Sequence, residues 1–413
     1  NFVSLYNKVS FLKKINRPPP RRKLTKDLDE NGEDKVNKEE QKEGMSSAAR
    51  SLFKFIMMLK QAQFGATFTD GTTLPGFTPS IDLLGQNFGK NTPGFPFILG
   101  AQDETFRNTI AANGFLTTDT NQIARYLNLS SVDITGSATI EPIKGFRISV
   151  NFNKRQSFNV TSNFRYSQTQ SDFDVVFYTE VGTFTTSFGT WNTMFDKLND
   201  DYSSAAFDQF KNNRYTIAQR LQVREFTGNG AYANRYENQL NVIDDSTGFP
   251  IGFSNKHQEV LTHAFIAAYS GKNASTSSLN PFKNLPIPNW RISYNGLTKL
   301  DIFKEVFSNI SISHGYSSTL NISSFQQPPL YGIDSLERGS NLETEYRFNS
   351  GISIIERLTP LIGIDVTTKE GLTAKFEYKT SRNLQLNVIS ARMVEVRNKE
   401  IVIGAGYRTS GLR

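Results

Sequence analysis

The residues that could carry acid–base or metal chemistry are few in this sequence of 413 residues. Only three histidines occur, and His257 and His263 lie six positions apart with Glu259 between them. A helical zinc site with a glutamate base needs two histidines four positions apart, so this spacing does not fit. Cysteine is absent, which excludes disulfides, thiol catalysis and cysteine-based metal sites. We therefore expect no enzyme activity, no catalytic residues, no metal and no cofactor.

Nucleotide and nucleic-acid binding are also not expected. The stretch from Gly85 to Asn91 has three residues between its glycines, where a phosphate-binding loop has four. Asn91 follows Lys90 where such a loop carries the serine or threonine that binds magnesium. The net charge of +7 is too dilute over the chain to indicate a nucleic-acid partner.

Any functional side chain in this sequence would be positioned mainly by β-strands. From residue 51 onwards, apolar and polar residues alternate in about ten segments, which is typical of strands whose two faces meet different surroundings. A soluble sandwich would show the same alternation. Two segments, 143–167 and 353–380, run far beyond the five or six residues of a typical soluble strand. Their length favours membrane strands, which need about nine to eleven residues.

Composition supports a sheet with one dry and one wet face. Aromatic residues make up 12% of the chain, yet the mean hydropathy is −0.42. The sequence contains no run of about 18 apolar residues that could form a transmembrane helix. We therefore predict an all-β fold: an antiparallel transmembrane β-barrel, as a segment of a very large barrel, with short helical and loop insertions.

The alternation assigns candidate residues to the two faces of this sheet. Polar residues in alternating segments are predicted to face a water-filled lumen, and their apolar neighbours are predicted to face lipid, or a covering element where one exists. The lumen-facing candidates are Arg147, Asn151, Lys375, Glu377, Asn383 and Gln385. The lipid-facing candidates are Phe146, Ile148, Val150, Leu384 and Leu386.

Shifts in composition predict five parts of the chain. Residues 1–16 are predicted to be a strand or loop, and residues 17–46, which mix basic and acidic side chains without aromatic residues, a disordered charged linker or loop. Barrel strands with long loops follow over 47–190, a helical and loop insertion over 191–289, and further barrel strands over 290–413. Within the insertion, the spacing of apolar residues predicts helices over 193–212 and 256–269.

Short phrases spread over most of residues 51–408 carry a family resemblance. They include Leu74 to Phe77, Pro93 to Phe97, Ala264 to Lys272, Ile287 to Ile292, Tyr294 to Leu297, His314 to Ser318, Thr359 to Asp365 and Gly406 to Arg408. Together and in this order they resemble the SprA (Sov) family, the outer-membrane translocon of the type IX secretion system of Bacteroidetes. The resemblance covers a part close to, but short of, the C-terminal end of these very large chains.

The resemblance implies a function in protein secretion and gliding motility. It implies a protein-conducting channel in the bacterial outer membrane, wide enough for folded cargo. The implied partners are the remainder of the same very large chain, a PorV-type outer-membrane barrel, plug and periplasmic proteins, secreted cargo and membrane lipid. Two alternatives remain open: a self-contained outer-membrane barrel for small solutes or surface attachment, and a secreted β-sandwich that binds polysaccharide.

Overall fold

The computed structural model describes most of the chain beyond residue 55. The described residues are 4, 6, 8, 53, 56–87, 89, 94–99, 104–283, 285–328, 331–333, 336, 341–349 and 351–408. The predicted linker over 17–46 lies outside the described residues. Of the predicted strand or loop over 1–16, the structure describes Ser4, Tyr6 and Lys8, whose backbone is instead helical. The Tyr6 hydroxyl donates to the Ile56 and Leu59 carbonyls, so Tyr6 lies beside the start of the sheet.

Antiparallel β-sheet dominates the fold, with strands making up 47% of the structure and helices 21%. The strands are β1 Leu59–Thr73, β2 Tyr126–Ile143, β3 Phe146–Ser167, β4 Asp172–Ser187, β5 Ile243–Asp244, β6 Phe249–Pro250, β7 Asn289–Tyr294, β8 Phe307–Gln326, β9 Arg347–Phe348, β10 Ile352–Thr368, β11 Leu372–Asn387 and β12 Arg392–Tyr407. Beyond residue 58, the helices of the described part are α1 Gly94–Ile98, α2 Glu104–Ala112, α3 Ala205–Phe226, α4 Ala233–Tyr236, α5 Gln258–Ser270 and α6 Asp301–Lys304. Short 3₁₀ segments occur at Leu83–Gly85, Glu237–Gln239, Pro281–Lys283 and Leu297–Lys299.

One large sheet contains every long strand. Its order is β1-β2-β3-β4-β8-β10-β11-β12, with β7 pairing with β3 and β8, and β9 pairing with β8. All these pairs are antiparallel, and β1 and β12 are the edge strands within the described residues. We call the end of the sheet that holds the β2–β3 and β10–β11 turns its lower end. Gly145 and Gly371 have φ of 89° and 90° in these two turns, a conformation that glycine adopts without a steric penalty.

The strands β4 and β7 form a single interrupted strand. Ser187 at the end of β4 lies beside Asn153 of β3, and Asn289 at the start of β7 pairs with Asn151 of the same strand. The backbone N–H of Ile287 donates to the Ser187 carbonyl over 3.1 Å, which brings the two ends together. Residues 188–288 therefore leave the sheet at mid-height and return to the same place. We call residues 188–288 the helical insertion.

The helical insertion packs on one face of the sheet and forms the main core. Its α5 is buried on every side from Glu259 to Tyr269, as expected of a helix that is apolar around most of its circumference. The sheet residues beneath it are Phe184, Leu320, Ile322, Phe325, Ile352, Ile354, Leu384, Leu386 and Val388. A smaller core joins the segment between β1 and β2 to the same face, through Ile110, Leu116, Tyr126 and Phe164.

One predicted helix is placed differently in the structure. The helix predicted over 193–212 begins only at Ala205 and continues to Phe226, because Ser204 caps it by accepting from the backbone N–H of Phe207. The main chain of 193–196 bonds instead to arginines of the sheet. The second helix, predicted over 256–269, is confirmed as Gln258–Ser270, which ends at Gly271 in a left-handed conformation.

Candidate functional site

The register of the sheet separates an apolar face from a polar face, because directly paired residues on neighbouring strands point to the same side. One row of paired residues crosses six strands and is apolar throughout: Phe146, Tyr294, Ile312, Ile364, Phe376 and Ile403. The next row across five of these strands is Arg147, Ser293, Ser313, Gly363 and Glu377. We call the sides that carry these two rows the apolar face and the polar face.

The six candidates predicted to face a lumen all lie on the polar face. Arg147, Asn151, Lys375 and Gln385 are exposed there, and Glu377 and Asn383 are half-buried. Glu377 accepts from Lys375 at 3.0 Å and from Lys379 at 3.3 Å, and Lys379 also pairs with Glu400 on β12 at 3.1 Å. Charges of both signs are thus interspersed on this face, which leaves it hydrated without a strong field of one sign.

The five candidates predicted to face lipid share the apolar face but have two different surroundings. Phe146, Ile148 and Val150 lie half-buried in the lower half and belong to neither of the two cores. Leu384 and Leu386 lie higher and are almost fully buried, at 0% and 1% exposed. They pack under the helical insertion and therefore contact protein and not lipid. Alternation identified their face, but it carries no information on what covers that face.

The uncovered lower half of the apolar face is a continuous apolar band. Its large exposed members include Phe64, Phe68, Ile312, Ile362, Ile364, Phe376, Ile401, Ile403 and Tyr407. A monomeric soluble protein rarely exposes a contiguous apolar patch of this extent, because water contact costs about 25 cal/mol per Å². The apolar band is therefore the surface of this fold that most needs a partner.

The apolar band ends upwards where other segments of the chain begin to cover the sheet. On β3, Phe152 is the last apolar residue below Lys154, whose ammonium donates to the Phe282 carbonyl of the helical insertion at 2.7 Å. Over the upper ends of β2 and β3, Arg107 is nearly buried, donates to Ser162 at 3.2 Å and lies 4.5 Å from the ring centre of Phe164. The apolar face is thus packed against protein above this limit, and below it most of its large side chains are exposed, with Ile310 as a buried exception.

A buried ion pair holds the insertion to the apolar face just above the band. Arg382 on β11 and Glu356 on β10 are 3% and 0% exposed and lie 2.8 Å apart. Glu356 also accepts from the hydroxyls of Thr190 and Tyr316. Arg382 donates to the carbonyl and the hydroxyl of Thr193, at 2.6 and 2.9 Å. Every charged group of the pair therefore has a partner, which a buried pair requires.

Sequence reasoning missed this pair, although the pattern contains a signal for it. Glu356 stands in the apolar phase of Ile352, Ile354 and Leu358, and Arg382 stands in the apolar phase of Leu384 and Leu386. Opposite charges in the apolar phase of two consecutive strands indicate a pair on the covered face.

Two of the three histidines, His257 and His263, are core residues of the helical insertion, and His314 lies half-buried on β8. His257 is buried beside Phe253, and its Nε2 hydrogen-bonds with the Leu342 carbonyl at 3.2 Å. Burial lowers the pKa of His257 to about 4 and that of His263 to about 3. Glu259 pairs with Arg224 at 2.8 Å, but burial still raises its pKa to about 7. Among the described residues, no group of three or more His, Asp or Glu side chains is arranged to hold a metal ion.

No described helix is both long and apolar enough to cross a membrane. Neither a family model nor a curated protein matches this chain.

Proposed function

We propose that this sheet is part of the wall of a protein-conducting channel in a bacterial outer membrane, which translocates folded cargo in type IX secretion. The apolar band supports this assignment most directly. It is exposed on one face of a sheet whose other face is mainly polar, with exposed apolar exceptions that include Leu129, Val394 and Val396. Lipid outside with water inside is the arrangement that such a division suits. Conduction along the polar face is passive and is controlled by partner proteins.

The slope of the upper limit of the apolar band favours a membrane barrel. On β1 the last exposed apolar residue is Phe68, which registers with Gln156 of β3. On β12 it is Ile401, two positions above Ile403, and the row of Ile403 registers with Phe146, so Ile401 is level with Ile148 of β3. This is a shift of about eight residues over about seven strand spacings, or a strand tilt of roughly 40° at 3.3 Å per residue and 4.8 Å per strand. Transmembrane barrels have tilts of about 35–45°.

The edge strands and the sequence resemblance bear on the finer assignment. A sheet in lipid cannot leave the hydrogen-bonding groups of β1 and β12 without partners. In the proposed channel, strands from the remainder of a very large chain satisfy both edges. The assignment to type IX secretion, with a PorV-type barrel and plug proteins as partners, rests on the SprA-like phrases in the sequence.

Photocrosslinking in living cells tests the proposal. A photoreactive phenylalanine analogue is introduced in place of Asn151 on the polar face and, as the matched control, in place of Ile148 on the apolar face. We expect adducts with secreted cargo from position 151 and adducts with lipid, without cargo, from position 148. Cargo adducts from neither position, while lipid adducts form at 148, would favour a barrel for small solutes. Absence of lipid adducts at 148 would overturn the membrane assignment.

The size of the native chain tests the segment hypothesis separately. An antibody against residues 17–46 should detect, in denatured outer membranes, a band far above the 46.5 kDa of this sequence. A band near 46.5 kDa would contradict the segment hypothesis. A soluble protein that needs no detergent would instead favour the secreted β-sandwich.

A further inference from the structure

The first residues of the helical insertion cross the sheet directly above the apolar band. We call residues 190–198 the shelf. The backbone N–H of Thr190 donates to the Tyr316 hydroxyl of β8 at 2.9 Å. The Thr193 carbonyl accepts from Arg382 of β11, and the Asp196 carbonyl accepts from Arg397 of β12 at 2.7 Å. The shelf is therefore fastened to three strands along a line across the apolar face.

The shelf has a polar and packed inner side and an apolar outer side. Thr190, Thr193 and Met194 are buried against the sheet, with exposures of 1%, 6% and 7%. Trp191, Phe195 and Leu198 are exposed by 43%, 64% and 43%. Thr190, Thr193 and the Asp196 carbonyl bond inward, so three large apolar side chains are left on the outside, beside the exposed Asn192 and Lys197. Such an arrangement is unfavourable in water and needs an apolar partner.

The position of the outer side chains identifies that partner. On β12, Arg397 bonds to the shelf, the exposed Lys399 follows on the same face, and Ile401 begins the apolar band. Trp191 continues this boundary towards β7, since its ring centre lies 5.7 Å from that of Trp290, which stacks on Tyr316 at 4.4 Å. Indole rings and lysine side chains at the border of an apolar surface favour the headgroup layer of a membrane.

We propose that the shelf is a lipid-interface anchor, whose Trp191, Phe195 and Leu198 side chains enter the boundary between headgroups and acyl chains. This inference rests on the proposed membrane position of the apolar band. The exposed ammonium groups of Lys197 and Lys399 lie at the level of the lipid phosphates. The anchor fixes how deep the sheet sits in the membrane. The shelf is bonded to the buried Glu356–Arg382 pair, so it could enter the acyl region only together with that charged pair. The helical insertion then lies on the membrane surface.

Depth measurement by electron paramagnetic resonance tests this anchor in the native chain and membrane. A spin label is placed by a non-canonical amino acid at Phe195 in the shelf, at Ile403 in the apolar band and at Val223 on the outer side of α3. All three side chains are exposed, by 64%, 77% and 46%, so a label at each site can extend away from the protein. Collisions with oxygen report acyl chains, and collisions with a nickel chelate report water.

The three sites separate the possible outcomes. We expect the oxygen-to-nickel collision ratio to be roughly tenfold higher at Ile403 than at Val223, with Phe195 clearly between them, as suits the headgroup boundary. If the ratio at Phe195 equals that at Val223 while the ratio at Ile403 stays much higher, the anchor is overturned and the proposed position of the apolar band in the membrane stands. A ratio at Phe195 equal to that at Ile403 would overturn the headgroup position. A water-like ratio at Ile403 would overturn the membrane wall and the anchor with it. A label at Trp191 repeats the measurement at a second shelf position.

Discussion

Arg382 lies 2.8 Å from Glu356 across two neighbouring strands, and both side chains are almost completely shielded from water. The pair stands where the covered and uncovered halves of the apolar face meet. Its remaining hydrogen-bonding groups are taken by Thr190, Thr193 and Tyr316, so the pair joins the shelf to β8, β10 and β11. A buried pair of this kind stabilises little by itself, but removal of one partner leaves a charge without compensation.

Arg382→Met should therefore destabilise the protein strongly. The substitution leaves the Glu356 carboxylate buried without its cation, and the expected cost is about 3–5 kcal/mol. Thermal unfolding in detergent measures the loss. The double variant Glu356→Leu with Arg382→Met is the matched control, because it removes both charges and should recover most of the stability. Equal losses in the single and double variants would show that the packing of Arg382, and not its charge, holds the shelf.

Charge substitution on the two faces tests which of them meets lipid. Ile148→Arg places a charge in the apolar band and should cost about 2–4 kcal/mol if it lies near the middle of the bilayer. Asn151→Arg adds the same side chain three residues away on the polar face, and we expect it to be nearly neutral. Membrane assembly and heat stability of the two variants are compared. Equal losses of stability in the two variants would indicate that both faces of the sheet are shielded from water.

Local alternation was sufficient to predict the mainly β fold and the face on which each candidate residue lies. It succeeded because direction alternates strictly along a strand, so Ile148 and Asn151 must point to opposite sides. It failed for the surroundings of Leu384 and Leu386, because these depend on a segment more than 100 positions away. It also placed a helix over 193–212, where tertiary bonds from Arg382 and Arg397 hold the main chain of 193–196 in another conformation.

The interrupted strand formed by β4 and β7 could not be predicted from the sequence, because it also depends on contacts between distant parts of the chain. The six residues of β7 follow the long helical insertion, and their pairing with β3 depends on register with residues far away in the chain. The phrase from Ile287 to Ile292 that resembles the family includes the first four residues of β7, but it carries no information on which strands lie beside β7.

The buried histidines should make the helical insertion sensitive to acid. Burial lowers the pKa of His263 from 6.5 to about 3, so below about pH 6.5 the unfolded chain binds a proton that the folded chain does not. Stability from this group is complete above pH 6.5 and falls as the pH drops towards 3. Glu259, with its pKa raised to about 7, opposes this trend by losing stability as the pH rises from 4.5 towards 7.

Comparison of His263→Leu with the unchanged protein isolates the histidine contribution. Between pH 7.5 and pH 5, the unchanged protein should lose about 2 kcal/mol more than the variant, since each pKa unit corresponds to about 1.4 kcal/mol. Unfolding of the insertion, followed by hydrogen exchange of α5 at the two pH values, gives the measurement. Parallel pH profiles for the two proteins would show that the His263 ring accepts a proton in the folded state, and would contradict its burial.

Asn289 should hold the interrupted strand together at the point where the helical insertion returns. Its side-chain oxygen accepts from the buried backbone N–H of Ser318 at 2.8 Å, and its amide donates to the Ser187 hydroxyl at 3.5 Å. Asn289→Ala leaves the Ser318 N–H without a partner, and the expected cost is about 1–3 kcal/mol. Asn398→Ala on the exposed polar face is the control, with an expected effect within about 0.5 kcal/mol. Faster hydrogen exchange at Ser318 in the first variant alone would locate the loss at the junction, whereas unchanged exchange there would show that the strands hold the insertion without this side chain.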